Sequence, residues 1–259
     1  MEMALCMRSF EESIEKGTLQ VRNILDEAVK RGITAIDILA SCIGDHNEAR
    51  SLGEYVSQQG CQVVSYSTRL TAISAADCNS TVFEAFEMEF SKALLLKSPY
   101  IGIRTNTGEE AIKDCEIMQR VIEGYKALIK LTRKYGVKIV VENTKGVSSR
   151  PENIIAIVSK FPEDIYACLD TGNFAPSHRY TSNRQLISVA AHCHFKTLAF
   201  DKDGLESTID TRECIQQLID AGYSGYVAVE YEGGGDESQG VDNSVALLRR
   251  LLHEESNQV

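Results

Sequence analysis

The chain of 259 residues contains no tryptophan and only four prolines, and no stretch of it is rich in Pro, Ser or Gly. Segments of that composition form the flexible linkers that join domains. At roughly 150 residues per domain, the length alone allows one or two domains. Because such a linker is missing, we expect one domain that covers residues 1–259.

Long apolar runs and a surplus of basic residues are also missing. No apolar stretch approaches the roughly 20 residues that span a bilayer, and the first residues lack the apolar region of a signal peptide. Asp and Glu number 37 against 27 Lys and Arg, so the formal charge is −10. A charge of that sign repels phosphate backbones and anionic lipids. We therefore expect a cytoplasmic protein that binds neither nucleic acid nor membranes; the sequence leaves a homo-oligomer open.

Cysteine is present, but without the spacing of a metal or disulfide motif. None of the eight cysteines forms a Cys-x-x-Cys pair. Several lie in apolar runs, as in Tyr166-Ala167-Cys168-Leu169, where a free thiol packs as a small core residue. The pattern is typical of a protein in a reducing compartment. The cysteines are Cys6, Cys42, Cys61, Cys78, Cys115, Cys168, Cys193 and Cys214.

Glycine-rich nucleotide-binding loops are absent as well. The segment after the first apolar run reads Arg-Ser-Phe-Glu-Glu, which excludes the Gly-x-Gly-x-x-Gly turn of a dinucleotide-binding open sheet. The one glycine cluster, Gly233-Gly234-Gly235, is not followed by Lys and Ser or Thr, so it is not a P-loop. We expect a flexible turn there.

What the sequence does contain is a regular alternation of short apolar, β-branched runs with longer amphipathic stretches. The longest helical pattern runs from residue 109 to 135, behind a capping box of Thr107 and Glu110, and Ser149 with Glu152 repeats the box before the helix at 153–160. Eight βα units in about 250 residues predict a closed (β/α)8 TIM barrel. The eight runs are Ala4–Met7, Ile33–Leu39, Cys61–Ser67, Tyr100–Thr105, Val137–Glu142, Ile165–Asp170, His192–Leu198 and Tyr226–Tyr231.

Potential metal ligands close four consecutive runs. They are Glu142, Asp170, His194 and Glu230, at the ends where the active sites of such barrels gather. Any one of these carboxylates could be a rim residue in an ion pair. Three carboxylates around one imidazole would repel each other without a cation, so we expect one divalent ion here. Three oxygens and one nitrogen suit Mn²⁺, Mg²⁺, Co²⁺ or Zn²⁺, and the sequence does not choose among them.

These motifs resemble the xylose isomerase-like TIM barrels, the sugar isomerase and epimerase family. The similar segments are Val-Glu-Asn at Glu142, Leu-Asp-Thr-Gly at Asp170, His-x-His-x-Lys at His194, Gly-Tyr-x-Gly-Tyr-x-x-x-Glu ending at Glu230, and the second-strand segment Gly32–Ile38. The resemblance implies one divalent metal on Glu142, Asp170, His194 and Glu230, with the two Glu residues on either side of the carbon that exchanges its proton. A metal that polarises a carbonyl acidifies the neighbouring C–H and stabilises the enediolate.

The resemblance therefore implies a metal-dependent isomerase or epimerase of a carbohydrate. A lyase that removes water from an inosose or a dehydroshikimate-type acid shares the same site, and a barrel that binds a ligand without chemistry is a third reading. Asn173 stands where ketose 3-epimerases and inosose dehydratases carry a His, and Thr197–Phe200 lacks the Arg of the epimerases. These differences disfavour a close ketose 3-epimerase. The abasic-site endonucleases of the superfamily need more His than the five present.

Residues near the predicted ligands are candidates for substrate binding. Strand alternation places Lys196 and His192 on the face of His194. Lys196 would bind a substrate oxygen or pair with Glu232 or Asp170, whereas His192 is expected to be a hydrogen-bonded core residue. Arg104, at the end of the fourth run, would bind substrate or support Glu142. The remaining candidates, on the loop after the sixth run, are Asn173 and His178.

Overall fold

The structure, a computed structural model, describes residues 1–76, 80–106, 108 and 115–256. Each strand pairs in parallel with the next, and β8 pairs with β1, so the sheet closes into an eight-stranded barrel. The predicted TIM barrel is confirmed. The strands are β1 (Glu2–Cys6), β2 (Ala35–Leu39), β3 (Gln62–Thr71), β4 (Tyr100–Arg104), β5 (Lys138–Glu142), β6 (Ile165–Asp170), β7 (Ala190–Thr197) and β8 (Tyr226–Tyr231).

Helices connect the strands and cover the outside of the barrel. They are α1 (Glu11–Glu15), α2 (Val21–Lys30), α3 (His46–Gln58), α4 (Ala72–Ala76), α5 (Ser80–Leu95), α6 (Cys115–Tyr135), α7 (Pro151–Lys160), α8 (Arg179–Leu186), α9 (Thr211–Asp220) and α10 (Glu237–Ser256). None of the described helices is long and apolar enough to cross a membrane.

The two predicted capping boxes have different outcomes. Thr107 and Glu110 lie outside the described residues. The box at Ser149 is wrong, because the Ser149 hydroxyl donates to the Gly146 carbonyl (2.8 Å) within the preceding 3-10 turn. Helix α7 begins instead at Pro151, with no side-chain cap. Proline suits the first position because it has no N–H to satisfy there.

Small side chains fill the barrel interior below the carboxyl ends of the strands. A separate buried cluster consists of Ala4, Cys6, Ala35, Val64 and Ala228. Two residues beyond Ala35 and Ala228, the same faces of β2 and β8 carry Asp37 and Glu230. Small residues below therefore leave room for a buried polar layer above them.

The described cysteines are free thiols, as the spacing predicted; Cys78 lies outside the described residues. Cys6, Cys168, Cys193 and Cys214 are buried. Burial raises the pKa of Cys168 and of Cys214 to about 12. These thiols therefore stay protonated and pack as core residues.

Helix α6 approaches α4 so closely that only glycine fits at the contact. A Cβ at Gly124 would lie 1.8 Å from the carbonyl oxygen of Ala72. We expect Gly124→Ala to lower the free energy of unfolding by about 1–3 kcal/mol through overpacking, although alanine favours a helix by about 1 kcal/mol. Urea unfolding measures the change. The control is Lys126→Ala, at an exposed position of the same helix. A Gly124→Ala variant more stable than the parent would contradict the close contact.

Candidate metal centre

The ends of four neighbouring strands bring the predicted ligands together. Glu142, Asp170, His194 and Glu230 each present one ligand atom, and these atoms all lie within 4.8 Å of one another. Asp170, His194 and Glu230 are buried, whereas Glu142 is half-buried. The strand register explains the convergence, because Asp170 is level with His194 on the adjacent strand. The structure thus assembles the predicted set, and metal binding by it stays a prediction.

The His194 ring is held from both sides. Its Nδ1 lies 2.9 Å from Oε1 of Glu142 and 3.6 Å from Oε1 of Glu230, while its Nε2 lies 2.8 Å from Oδ2 of Asp37. Burial alone lowers the pKa of a histidine, but the charge of Glu230 and the hydrogen bond to Asp37 raise that of His194 well above its ordinary value. By these distances, Nδ1 is the nitrogen that faces Glu142 and Glu230, and Nε2 is the nitrogen that faces Asp37.

Asp170 has one oxygen fixed by the backbone and one aimed at the cluster. Its Oδ1 accepts hydrogen bonds from the amides of Gly172 (2.8 Å) and Asn173 (3.0 Å). The Asn143 side chain pairs with the Asp170 backbone, donating to its carbonyl (2.9 Å) and accepting from its amide (2.7 Å). These bonds anchor Oδ1 and the Asp170 backbone, while Oδ2 faces Lys196 on the neighbouring strand.

Two cations lie against the carboxylates. The Lys196 ammonium is 3.0 Å from Asp170, 2.5 Å from Glu230 and 2.6 Å from Glu232. The Arg8 guanidinium is 3.3 Å from Glu230. Burial opposes a charged ammonium, but the three carboxylates raise the pKa of Lys196 above its ordinary value. The predicted pairing of Lys196 with Asp170 or Glu232 is confirmed for both carboxylates, and substrate binding by Lys196 stays a prediction.

The carboxylates respond unequally to this environment. Burial raises the pKa of Asp170 well above its ordinary value, and the nearby charge of Glu230 adds to that effect. Burial would raise the pKa of Glu230 too, but the charges of Lys196, His194 and Arg8 outweigh it and lower the value. The environment therefore favours the ionised form of Glu230 and the protonated form of Asp170.

The donor set fits a divalent ion on an independent observation. Among the described residues, Oδ2 of Asp170 and Oε2 of Glu230 are buried atoms without a hydrogen-bond partner, although Lys196 lies within ion-pair distance of both. A buried carboxylate oxygen without a hydrogen bond is costly, and here one ammonium is shared between both oxygens. Three carboxylates and one imidazole nitrogen are ligands that Mn²⁺, Mg²⁺, Co²⁺ and Zn²⁺ accept.

Two other groups of possible ligands share His194: Cys168 with His192, and Cys6 with Asp37. A cysteine binds metal as the thiolate. Burial raises the pKa of both Cys6 and Cys168, so these thiols are poor ligands. The carboxylate set is the better candidate.

Sequence reasoning missed the contacts of Asp37 and Arg8. Asp37 is a fully buried carboxylate in the otherwise apolar strand β2, and both His192 and His194 contact it. Arg8 lies in the 3-10 turn Met7–Phe10 that follows β1, and this turn directs its guanidinium to Glu230. A charged residue inside an apolar strand was the available signal for Asp37. His192 is a buried, hydrogen-bonded residue, as predicted.

The predicted substrate-binding residues fall into two spaces. A cavity of about 490 Å³ lies above the cluster and includes Arg104, Asn173 and Lys196 in its wall. Arg104 ends β4 and shares this cavity wall with Glu142, yet no ion pair joins the two in the described part of the chain. His178 lies in a neighbouring cleft of about 630 Å³, with Nδ1 2.8 Å from the Ser182 hydroxyl. Substrate contact by His178 stays a prediction, in a place apart from the candidate ligands.

We expect the protein to bind one divalent ion per chain, with an affinity that falls as the pH falls. A metal on Nδ1 must displace the proton that the raised His194 pKa retains, so binding near pH 7 releases about one proton per ion. In the metal-free protein, protonation of His194 stabilises the fold, because the pKa of this residue is higher in the folded chain than in the unfolded chain. The stabilisation is complete below the unfolded pKa of about 6.5 and is lost as the pH rises through the folded pKa.

Calorimetric titration with Co²⁺ or Zn²⁺ in buffers of different ionisation enthalpy measures the affinity and the proton release together. His194→Gln should abolish stoichiometric binding. The control is His46→Gln, which changes an exposed histidine on α3. Affinity that is the same at about pH 6 and pH 8 would refute a site built on His194.

Solved structures of several proteins are similar to this chain over almost its whole length. The IOLI protein, solved with a bound zinc atom, is similar to this chain at a TM-score of 0.79 and 16% identity. The match covers 98% of this chain and 99% of the IOLI chain. An L-ribulose 3-epimerase matches 100% of this chain over 97% of its own, at 12% identity and a TM-score of 0.77. The probable 3-DHS dehydratase AsbF from Bacillus anthracis is similar at a TM-score of 0.75 and 14% identity. The match covers 96% of this chain and 99% of the AsbF chain. At such identities the likeness establishes the fold alone.

Two sequence comparisons add to this. The C-glycoside deglycosidase alpha subunit of Arthrobacter globiformis is 34% identical over 68 residues, which are 26% of this chain and only 18% of that protein. The family model described as xylose isomerase-like TIM barrel matches residues 25–251, most of the chain. The chain therefore belongs to the xylose isomerase-like TIM barrel family.

Proposed function

We propose that this protein is a divalent-metal-dependent isomerase or epimerase of a sugar or sugar derivative, which works by proton transfer at the carbon next to a carbonyl. The observation that carries the proposal is the pair of carboxylates, Glu142 and Glu230, that meet at Nδ1 of His194 and line the same cavity. Two carboxylates at one site can serve as the acid and the base of such a transfer.

The proposed metal would be held by Glu142, Asp170, His194 and Glu230. Bound there, a divalent ion supplies Lewis acidity, which polarises a carbonyl and acidifies the adjacent C–H bond.

Glu142 and Glu230 differ in access to the cavity. The side chain of Glu142 is 23% exposed and that of Glu230 is 1% exposed. Oε1 of Glu142 faces His194, and among the described residues its Oε2 has no partner. Glu142 is thus the carboxylate better placed to take a proton from a substrate in the cavity. Glu230 is the second member of the pair, kept ionised by Lys196 and Arg8.

The cavity wall suits a polyhydroxylated molecule. Every side chain in it is polar or charged, so hydrogen-bond donors and acceptors surround the space above the ligands. Lys196 and Arg104 are cations that could stabilise negative charge on a substrate oxygen. The wall consists of Arg8, Arg104, Asn106, Glu142, Thr144, Lys145, Asn173, Lys196, Glu230 and Glu232.

Dehydration is the second candidate reaction, and the position of Lys196 favours it. The ammonium lies at the base of the cavity between Glu230 and Glu232. From there its charge would stabilise the departure of a hydroxyl from the carbon beyond the one that Glu142 deprotonates, and the proton taken up by Glu142 would complete the water that leaves. Both reactions begin with loss of the same proton, and a panel of substrates separates them by the release of water.

Incubation of the metal-loaded protein in D₂O with aldoses, ketoses, inososes and dehydroshikimate-type acids tests the proposal. We expect deuterium at the carbon next to the carbonyl, since a base open to solvent exchanges its proton. NMR and mass spectrometry of the product and the recovered substrate measure the incorporation. Turnover without deuterium in either would point to a hydride shift and against proton transfer.

Replacement of either glutamate by glutamine tests the acid and base roles. Glutamine keeps an oxygen ligand, so Glu142→Gln and Glu230→Gln should retain part of the metal while kcat falls by roughly 10²–10⁴, the usual contribution of a positioned acid or base. The control is Glu54→Gln on the exposed face of α3. If both variants turned over at near the parent rate, the pair would be excluded from the chemistry.

A further inference from the structure

Asp37 joins β2 to β7 across the interior of the barrel. It is fully buried, and its Oδ2 lies 2.8 Å from Nε2 of His194 and 3.0 Å from Nε2 of His192. The other oxygen, Oδ1, accepts a hydrogen bond from the Ser67 hydroxyl at 3.2 Å. One carboxylate oxygen is thus shared by two histidines that lie two residues apart on the same strand.

An ionised carboxylate can only accept hydrogen bonds. Nε2 of each ring must therefore carry the proton in its bond to Asp37. For His194, this assigns the proton to the nitrogen that faces down the barrel and leaves Nδ1 to face Glu142 and Glu230. Without Asp37, either nitrogen of the ring could carry the proton or face the other ligands.

His192 limits the rotation of the same ring. The planes of the two imidazoles meet at 89° with their centres 5.1 Å apart, so His192 packs edge-to-face against His194. Both rings are buried, and both hydrogen bond to the one oxygen of Asp37. A turn of the His194 ring would break its bond to Asp37 and disturb the packing against His192.

We infer that Asp37 and His192 form a clamp that positions His194, so that Nδ1 is the nitrogen that binds the metal. The inference rests on the metal site of the proposed function but holds for any reaction performed there. Asp37 is a positioning residue and touches neither the metal nor the substrate. A histidine ligand whose second nitrogen donates to a carboxylate is fixed in tautomer and orientation, and loss of such a partner typically weakens metal binding about 10- to 100-fold.

Titration of the full-length protein with Co²⁺, followed by its visible absorption, tests the clamp. We expect Asp37→Ala to bind Co²⁺ about 10- to 100-fold more weakly, with a shifted spectrum because the His194 ring is no longer fixed. Asp37→Asn keeps one acceptor oxygen of the same size but loses its charge, so binding should weaken less, by about 3- to 10-fold. The isosteric variant keeps the test valid if Asp37→Ala fails to fold, which circular dichroism detects.

The matched control is Ser67→Ala, which removes the hydrogen-bond partner of Asp37 that, in the described part of the chain, is not a histidine. Its Co²⁺ affinity and spectrum should equal those of the parent. ¹⁵N NMR of the Zn²⁺-loaded parent should show a protonated Nε2 in His194, a signature that a purely structural role for Asp37 would not require. Folded Asp37 variants with the parent affinity and spectrum would overturn the clamp. A parent that binds Co²⁺ but acts on no sugar would overturn the proposed function and leave the clamp standing.

Discussion

Three carboxylates, those of Asp37, Asp170 and Glu230, are fully buried inside the barrel. Each ionised carboxylate costs several kcal/mol to remove from water, and only opposite charges and hydrogen bonds offset that cost. Lys196, Arg8 and the two buried histidines supply most of the compensation. It is incomplete, because one oxygen of Asp170 and one of Glu230 share the Lys196 ammonium and have no hydrogen bond among the described residues. The arrangement of the barrel interior follows from this concentration of negative charge.

The scaffold accommodates the charge by alternation along the strands. Inward positions near the strand starts carry Ala4, Ala35 and Ala228, and the next inward positions along those strands lead to Asp37 and Glu230. Outward positions pack against the helices and form the main apolar core. Stability thus comes from the layer between sheet and helices, which leaves the interior at the strand ends free for residues that contribute little to folding.

The fold and the four candidate ligands could be predicted from sequence, because both depend on local pattern. The alternation of side chains along a strand and the point where the strand ends can each be predicted from one segment of sequence. In a closed parallel barrel, the carboxyl ends of all strands lie at the same face. The contacts of Asp37 could not be predicted, since they join β2 to β7 and depend on how far the strands are staggered around the barrel. The position of His178 depends on the conformation of a loop, and the period of a strand says nothing about it. Ser149 failed as a cap because a preceding turn used its hydroxyl.

Membership of the family and the choice of substrate rest on different parts of the chain. The barrel is shared by proteins whose names give different reactions, among them an L-ribulose 3-epimerase and a probable 3-DHS dehydratase, so the fold does not specify one reaction. Specificity must come from side chains around the cavity, such as Arg104 at the end of β4 and Asn173 in the loop after β6. Asn173 differs from the histidine of the ketose 3-epimerases, yet its backbone amide still holds Oδ1 of Asp170. The loop can therefore vary in the group it offers to a substrate while its backbone continues to orient a candidate ligand, because the two tasks use different atoms of the same residue.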